Sequence, residues 1–263
     1  MTLDAVSSGW GGHVLVLASA SPGRRALLTR AGIAHDALAT DVDEEAALRD
    51  ATQRFGDLAP EDQVLLLAQA KAQAAVHMLA ELDNPFSAAD TGGASMSRAS
   101  TESGDVNDCG DSGELGQERG HIVLGCDSML EFDGQVVGKP LTAERAIQRW
   151  RALRGGTGIL HSGHWLIDDR EEGTGATLGR VSSTALHFAN LSDDEIDAYV
   201  ATGEPLQVAG AFTIDGLGGP FITGIEGDPH GVIGLSLPVL RDLLTEIGVP
   251  VTDLWTSRAM LGG

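Results

Sequence analysis

Asp127 stands directly after the apolar run Ile122-Val123-Leu124-Gly125-Cys126. A carboxylate in that place ends a buried strand, where open α/β sheets commonly gather their ligands. It can hold a divalent cation such as Mg²⁺ or Mn²⁺, or take the proton of an attacking water. The competing reading is an aspartate that merely forms a turn. The chain carries 15 arginines but only two lysines, Lys71 and Lys139. A compact ammonium with three donors suits a phosphate group. Spacing links Lys139 to Asp127. Asp133-Gly134 is a two-residue hairpin signal whose register pairs Phe132 with Gln135 and, by continuation, Ser128 with Lys139. Lys71 has Leu67, Ala68, Ala74 and Ala75 at helical spacing around it, so it either snorkels from a core-facing stripe or points into a cleft.

A third candidate is Ser19-Ala20-Ser21-Pro22-Gly23-Arg24-Arg25. Ser21 suits an N-cap and Pro22 the first helical position, so this segment presents either an anion site at a helix start or a plain cap with solvated arginines. His161 and His164 lie three apart on a strand pattern and point to opposite faces, which argues against a shared metal. Asp43 with Glu44, and Glu226 with Asp228, read as solvated turn carboxylates or as carboxylates linked to a metal.

The elements that must position these groups follow from periodicity and punctuation. A strand over His13–Ala18 precedes a helix from Pro22 to about Gly32, and a second strand spans about Ile33–Thr40. A long helix covers roughly Pro60–Glu81 and holds Lys71. The strand from Ile122 ends at Asp127-Ser128 and leads into the hairpin. Thr142 caps a helix to Leu153, strands fit Ile159–Ile167 and Val181–Phe188, and Ser192 to Glu195 forms a capping box. A strand near Val232–Leu235 and a helix from Pro238 to Gly248 complete the order. Alternating helices and strands with a hairpin imply an α/β fold with a mixed sheet flanked by helices.

The bulk properties bound the function. At 263 residues and 42% hydrophobic, the chain can bury a large core. No apolar run approaches the roughly 20 residues that span a bilayer, and no export signal is visible at the N-terminus, so the expectation is a cytoplasmic protein with no membrane partner. A net charge of −21 argues against nucleic acid, and obliges any site for a polyanion to gather local cations or recruit metal. Residues 84–120 hold 7 Gly, 6 Ser and 7 acidic residues, with four bulky apolar ones; this reads as a disordered acidic insertion that includes Cys109. The expected organisation is a flexible stretch over 1–12 and one catalytic domain over 13–263, interrupted by that insertion.

The sequence resembles the Maf family of nucleotide pyrophosphatases, which share a fold with the inosine-triphosphate pyrophosphatases. The carrying stretches are Leu17 to Arg24, Asp41-Val42-Asp43-Glu44, Gly125-Cys126-Asp127-Ser128, Gly134 to Pro140, Ala201-Thr202-Gly203-Glu204-Pro205, Ala209-Gly210-Ala211-Phe212 and Ile225-Glu226-Gly227-Asp228. The resemblance implies an elongated two-lobed body with a central cleft. It implies hydrolysis of a nucleoside triphosphate to monophosphate and pyrophosphate, clearing non-standard or surplus nucleotides, with Asp127 as proton acceptor. Ser21 and Arg24 would bind phosphate, and Asp43, Lys71 and Lys139 would line the cleft, with a divalent cation (Mg²⁺ or Mn²⁺) held by Asp43 and Asp127. A homodimer stays open. So does a nucleotide-binding regulator of cell division that needs no turnover. The pyrimidine-preferring branch has Arg, Thr and Gln where this chain has Gly23, Ser128 and Asp215, positions linked to base choice.

Overall fold

The computed structural model describes residues 15–83 and 120–256. The acidic insertion and Cys109 fall outside this range, Gly120 excepted, as do His13 and Val14 of the first expected strand. One seven-stranded mixed sheet carries the fold, in the order β2-β1-β3-β5-β6-β7, with β4 paired to β3. In chain order the elements are β1 (Leu15–Ala18), α1 (Pro22–Arg30), β2 (His35–Ala37), α2 (Glu44–Phe55), α3 (Pro60–Asp83), β3 (Ile122–Phe132) and β4 (Gln135–Val137). There follow α4 (Ala143–Leu153), β5 (Thr157–Asp168), β6 (Thr177–Phe188), α5 (Asp193–Ala201), β7 (Ile222–Glu226), α6 (Pro229–Ile233) and α7 (Leu237–Glu246). Among the described residues, no helix is long and apolar enough to cross a membrane.

The sheet's two faces are set by side-chain alternation. Odd-numbered residues of β3 face α3, where Val16, Ala18 and Val123 pack on Ala72, Ala75 and Leu79. Even-numbered residues face two separate cores. Ile122, Leu124 and Cys126 join α1 and α7 through Leu27, Leu28, Leu240 and Leu244. Leu130, Leu160 and Leu186 join α4 and α5 through Trp150, Ile196 and Tyr199. Between the cores lies a polar seam: Ser162 donates to the carbonyl of Gly231 in α6 at 2.8 Å, and Thr184 to that of Asp228 at 3.2 Å.

Several elements differ from the sequence expectation. The strand through Asp127 does not stop there: β5 pairs with β3 continuously from Ile122 to Glu131, which carries the extended backbone through Asp127-Ser128. Residues 232–235 are not a strand; α6 occupies Pro229–Ile233, capped by Asp228, and a helix of five residues is too short to show a period. Two elements were not anticipated, α2 after Asp43 and β7 over Ile222–Glu226.

The edge of β3 that faces β1 has a gap. The parallel partner β1 covers Ile122 to Gly125, and β4 covers Leu130 to Phe132. Four residues between them, Cys126 to Met129, have no strand on that edge among the described residues. Asp127 sits in this gap.

Candidate active site

Asp127 is 7% exposed and points to the α3 face. Lys71 reaches it from the middle of α3, donating from Nζ to Oδ1 at 2.5 Å. The same ammonium lies 2.8 Å from Glu44 Oε1, in the first turn of α2. Three elements far apart in sequence therefore converge on one carboxylate–ammonium–carboxylate group. Close packing makes the reach possible. A Cβ on Gly125 would lie 2.0 Å from the carbonyl oxygen of Ala68, and one on Gly163 would lie 2.4 Å from that of Val64. Only glycine lets α3 lie this near the sheet, and that nearness brings Lys71 down to Asp127.

Burial pushes the Asp127 carboxyl above the ordinary carboxylate range, while Lys71 and Arg24 pull it back and Glu44 adds to the rise. Its neighbour Cys126 is fully buried, and its thiol is pushed up to about 11, so it is a neutral thiol rather than a nucleophile near pH 7.

Arg24 closes the gap from the other side. Its Nη1 donates to the carbonyl of Cys126 at 2.9 Å, the edge carbonyl that β1 leaves free, and to Ser19 Oγ at 3.0 Å. Nε donates to the Gly234 carbonyl at 2.8 Å, and Nη2 to Ser128 Oγ at 2.9 Å. Four of its five N–H groups are thus committed within the protein. Gly234 has φ 111 and would place a Cβ 2.9 Å from Arg24 Nε, so no other residue fits the turn. Ser162 gives its hydroxyl proton to Gly231, so Ser128 must donate to Ser162 Oγ across their 2.8 Å contact. The result is one directed chain from Arg24 through Ser128 and Ser162 to α6.

The other sequence candidates are placed as follows. Ser21 caps α1 by accepting from Arg24 N at 3.4 Å, and its own N–H donates to Ser19 Oγ at 3.2 Å. Pro22 lacks an N–H, which leaves the Gly23 amide as the unpaired donor of that turn among the described residues. Asp43 is not drawn to Lys71: it is exposed, and its carboxylate accepts from Ala46 N at 2.9 Å to cap α2. Lys139 is exposed and has no hydrogen bond or ion pair among the described residues. The hairpin register holds for Phe132–Gln135 but pairing ends at Leu130–Val137, and Ser128 lies opposite Ser162 instead of Lys139. Pro140 cannot donate to a ladder, and Leu141 then turns away at φ 66 to donate to the Leu206 carbonyl at 3.0 Å.

Asp215 and Gly23 flank a neighbouring cavity of about 430 Å³, which opens between α1, α6 and the loop before β7. Asp215 lines it directly, and Gly23 lies against Ile233, which also lines it. His161 and His164 lie on opposite faces as expected: His161 bonds Ser183 and Glu131 on the α3 face, whereas His164 Nε2 accepts from Ser236 N at 2.8 Å. Among the described residues, no group of three or more His, Cys, Asp and Glu could by itself hold a metal ion.

Comparison with known proteins identifies the family. A family model described as Maf-like protein matches residues 14–247. The nucleoside triphosphate pyrophosphatase of Salinispora tropica is 46% identical over 246 residues, covering 92% of this chain and 87% of that protein. Proteins of the same name from Leifsonia xyli and Streptomyces coelicolor are 44% and 42% identical, covering 96% and 94% of their own lengths. This chain belongs to the Maf family.

Proposed function

We propose that this chain hydrolyses nucleoside triphosphates between the α and β phosphates, releasing the monophosphate and pyrophosphate. The observation that carries the reading is the buried Asp127 carboxylate, held in an open stretch of strand edge with Lys71 at 2.5 Å. A carboxylate whose proton affinity is raised by burial accepts a proton from water more readily than one in solvent. Lys71 then serves two ends. It orients Asp127 in the resting protein, and it offers its ammonium to the charge that develops on the transferring phosphoryl group. Arg24, its donors mostly committed, acts by its fixed positive charge behind the carboxylate. The relatives' names support the reaction class, and the gap in β3 serves as the floor of the expected cleft.

The expected divalent cation fits the donors present. Asp127 and Glu44 supply hard oxygen ligands on either side of the Lys71 ammonium, and two carboxylates with phosphate and water oxygens are the usual complement for Mg²⁺. When bound, such a cation neutralises phosphate charge and lowers the pKa of water. Asp43, with its carboxylate on the α2 terminus, is a supporting residue in this scheme. Lys139, exposed beyond β4, remains available to the outer phosphates.

The cavity beside α1 takes the base. Asp215 presents an acceptor-only carboxylate there, which favours bases that carry an amino group over those whose exocyclic groups are carbonyls. Hydrolysis in H₂¹⁸O of a panel of canonical and modified triphosphates tests the reaction. Label in the monophosphate and unlabelled pyrophosphate are expected; label in pyrophosphate, or release of orthophosphate, refutes it.

A further inference from the structure

Glu204 belongs to the Thr202-Gly203-Glu204-Pro205 stretch, which no step of the hydrolysis uses. Its carboxylate collects four donors. Oε1 accepts from Tyr199 Oη at 2.9 Å, Thr213 Oγ1 at 2.5 Å and Gly218 N at 3.0 Å, while Oε2 accepts from Leu217 N at 3.0 Å. Thr213 N closes the ring by donating to Tyr199 Oη at 3.3 Å. Residues 213–218 are thus wrapped around one carboxylate, and glycines make the wrapping possible: a Cβ on Gly216 would lie 2.7 Å from Glu204 Oε2, and one on Gly218 2.5 Å from Tyr199 Oη. Tyr199, the single tyrosine of the chain, is itself fixed edge-on against Trp150 at 5.6 Å in the α4–α5 core. Burial acts to raise the Glu204 carboxyl, but the bonds from Thr213, Leu217, Tyr199 and Gly218 outweigh it and hold the group below the ordinary range as an ionised acceptor.

The loop so held carries Asp215 to the cavity wall. There Asp215 meets Arg30, another lining residue, at 3.3 Å in an exposed pair, an interaction too weak to fix a loop. Its position is therefore set from within. We propose that Glu204 is a positioning residue for nucleotide selection: by fixing the 213–218 loop it sets where Asp215 meets the base, and so which nucleotides the cavity accepts. The proposal rests on the cavity's taking the base, as above. Because the bonds of Glu204 go to Tyr199, Thr213, Leu217 and Gly218 and to no member of the Asp127 group, it acts on KM and selectivity and leaves kcat alone.

The test compares the full chain with Glu204→Gln, Thr213→Val and Thr213→Ser. Calorimetry with AMP, GMP, CMP and UMP gives base preference without turnover, and kinetics on the four triphosphates separate KM from kcat. Glu204→Gln and Thr213→Val should weaken the preferred monophosphate about tenfold and narrow the range among the four, as expected for losing a charged hydrogen bond. Their kcat should stay within about twofold, and Thr213→Ser, which keeps the hydroxyl, should retain the wild-type ranking. Unchanged affinities and ranking in both variants, or a fall in kcat without a change in KM, overturn the proposal. Should Glu204→Gln fail to fold, the Thr213 pair decides. A wild type that binds monophosphates selectively but releases no pyrophosphate sinks the hydrolytic reading alone.

Discussion

Two carboxylates on the same sheet are equally hidden from solvent and opposite in character. Asp168, at the end of β5, is 2% exposed and receives four donors: Arg170 Nε at 2.6 Å and Nη2 at 2.9 Å, Thr174 N at 2.6 Å and Thr174 Oγ1 at 2.8 Å. Burial alone would raise its carboxyl, yet these partners hold it well below the ordinary range. Asp127, 7% exposed, has among the described residues a single side-chain donor in Lys71, shared with Glu44, and burial wins. The difference is one of unfilled lone pairs. A buried carboxylate saturated by its own strand ends and turns is a fastening, whereas one left short of donors keeps both proton affinity and room for a ligand.

The largest effect that can break this contrast is Asp127→Asn. If Asp127 is the proton acceptor, pyrophosphate release should fall about 10³-fold. The folded carboxyl is raised, so its ionised form is less comfortable in the fold than in water, and the neutral amide should not lower Tm. The wild-type profile of kcat/KM should show an acid limb above the ordinary carboxylate pKa, because activity is lost as pH falls through the raised value. Near-normal turnover in a well-folded Asp127→Asn protein would end the assignment.

Asp127 was legible because a charged residue after five apolar ones is conspicuous, but its surroundings were not. The sequence pattern stops the strand at Asp127-Ser128, whereas the long antiparallel partner β5 carries it on to Glu131. Lys71 showed only that its helix face was apolar; that it lands on Asp127 depends on Gly125 and Gly163 meeting α3, a contact between distant segments. Asp43 and Glu44 differ for a local reason: the residue entering α2 is used as the cap, and the next one turns inward to Lys71. Glu204 looked like part of a motif without a task, since all but one of its four bonds go to residues at least nine positions away.

Asp168→Asn tests the other half of the contrast. Removing the charged acceptor that Arg170 and Thr174 share in a largely buried site should cost about 3 kcal/mol. Activity per folded molecule should persist, since Asp168 lies at the far end of β3's partner strand. Its folded pKa is depressed, so the stability it contributes is present above the ordinary carboxylate pKa and is lost as pH falls below it. Urea melts at pH 7 and pH 3 should show the variant's deficit shrinking in acid. An equal deficit at both would remove the charge argument.

Gly125→Ala should move the first site without touching any of its polar groups. The added Cβ collides with the Ala68 carbonyl, so α3 must lift and carry Lys71 away from Asp127. A displacement of this kind should lower kcat/KM about tenfold. With the ammonium further off, less opposes the burial effect, and the acid limb should move to higher pH. A variant that loses activity with an unmoved acid limb would show that the glycine serves packing alone.

The smallest effect separates a saturated site from an oversupplied one. Thr174 gives Asp168 both its N–H and its hydroxyl, and Thr174→Val removes only the hydroxyl while keeping shape. Three donors remain, and the position is exposed enough for water to replace the fourth, so the loss should be about 1 kcal/mol, well under that of Asp168→Asn. Were Thr174→Val as costly as Asp168→Asn, Asp168 would be held by a single indispensable bond, as Asp127 is by Lys71. The number of filled lone pairs would then no longer explain why one buried carboxylate fastens the sheet and the other is free to react.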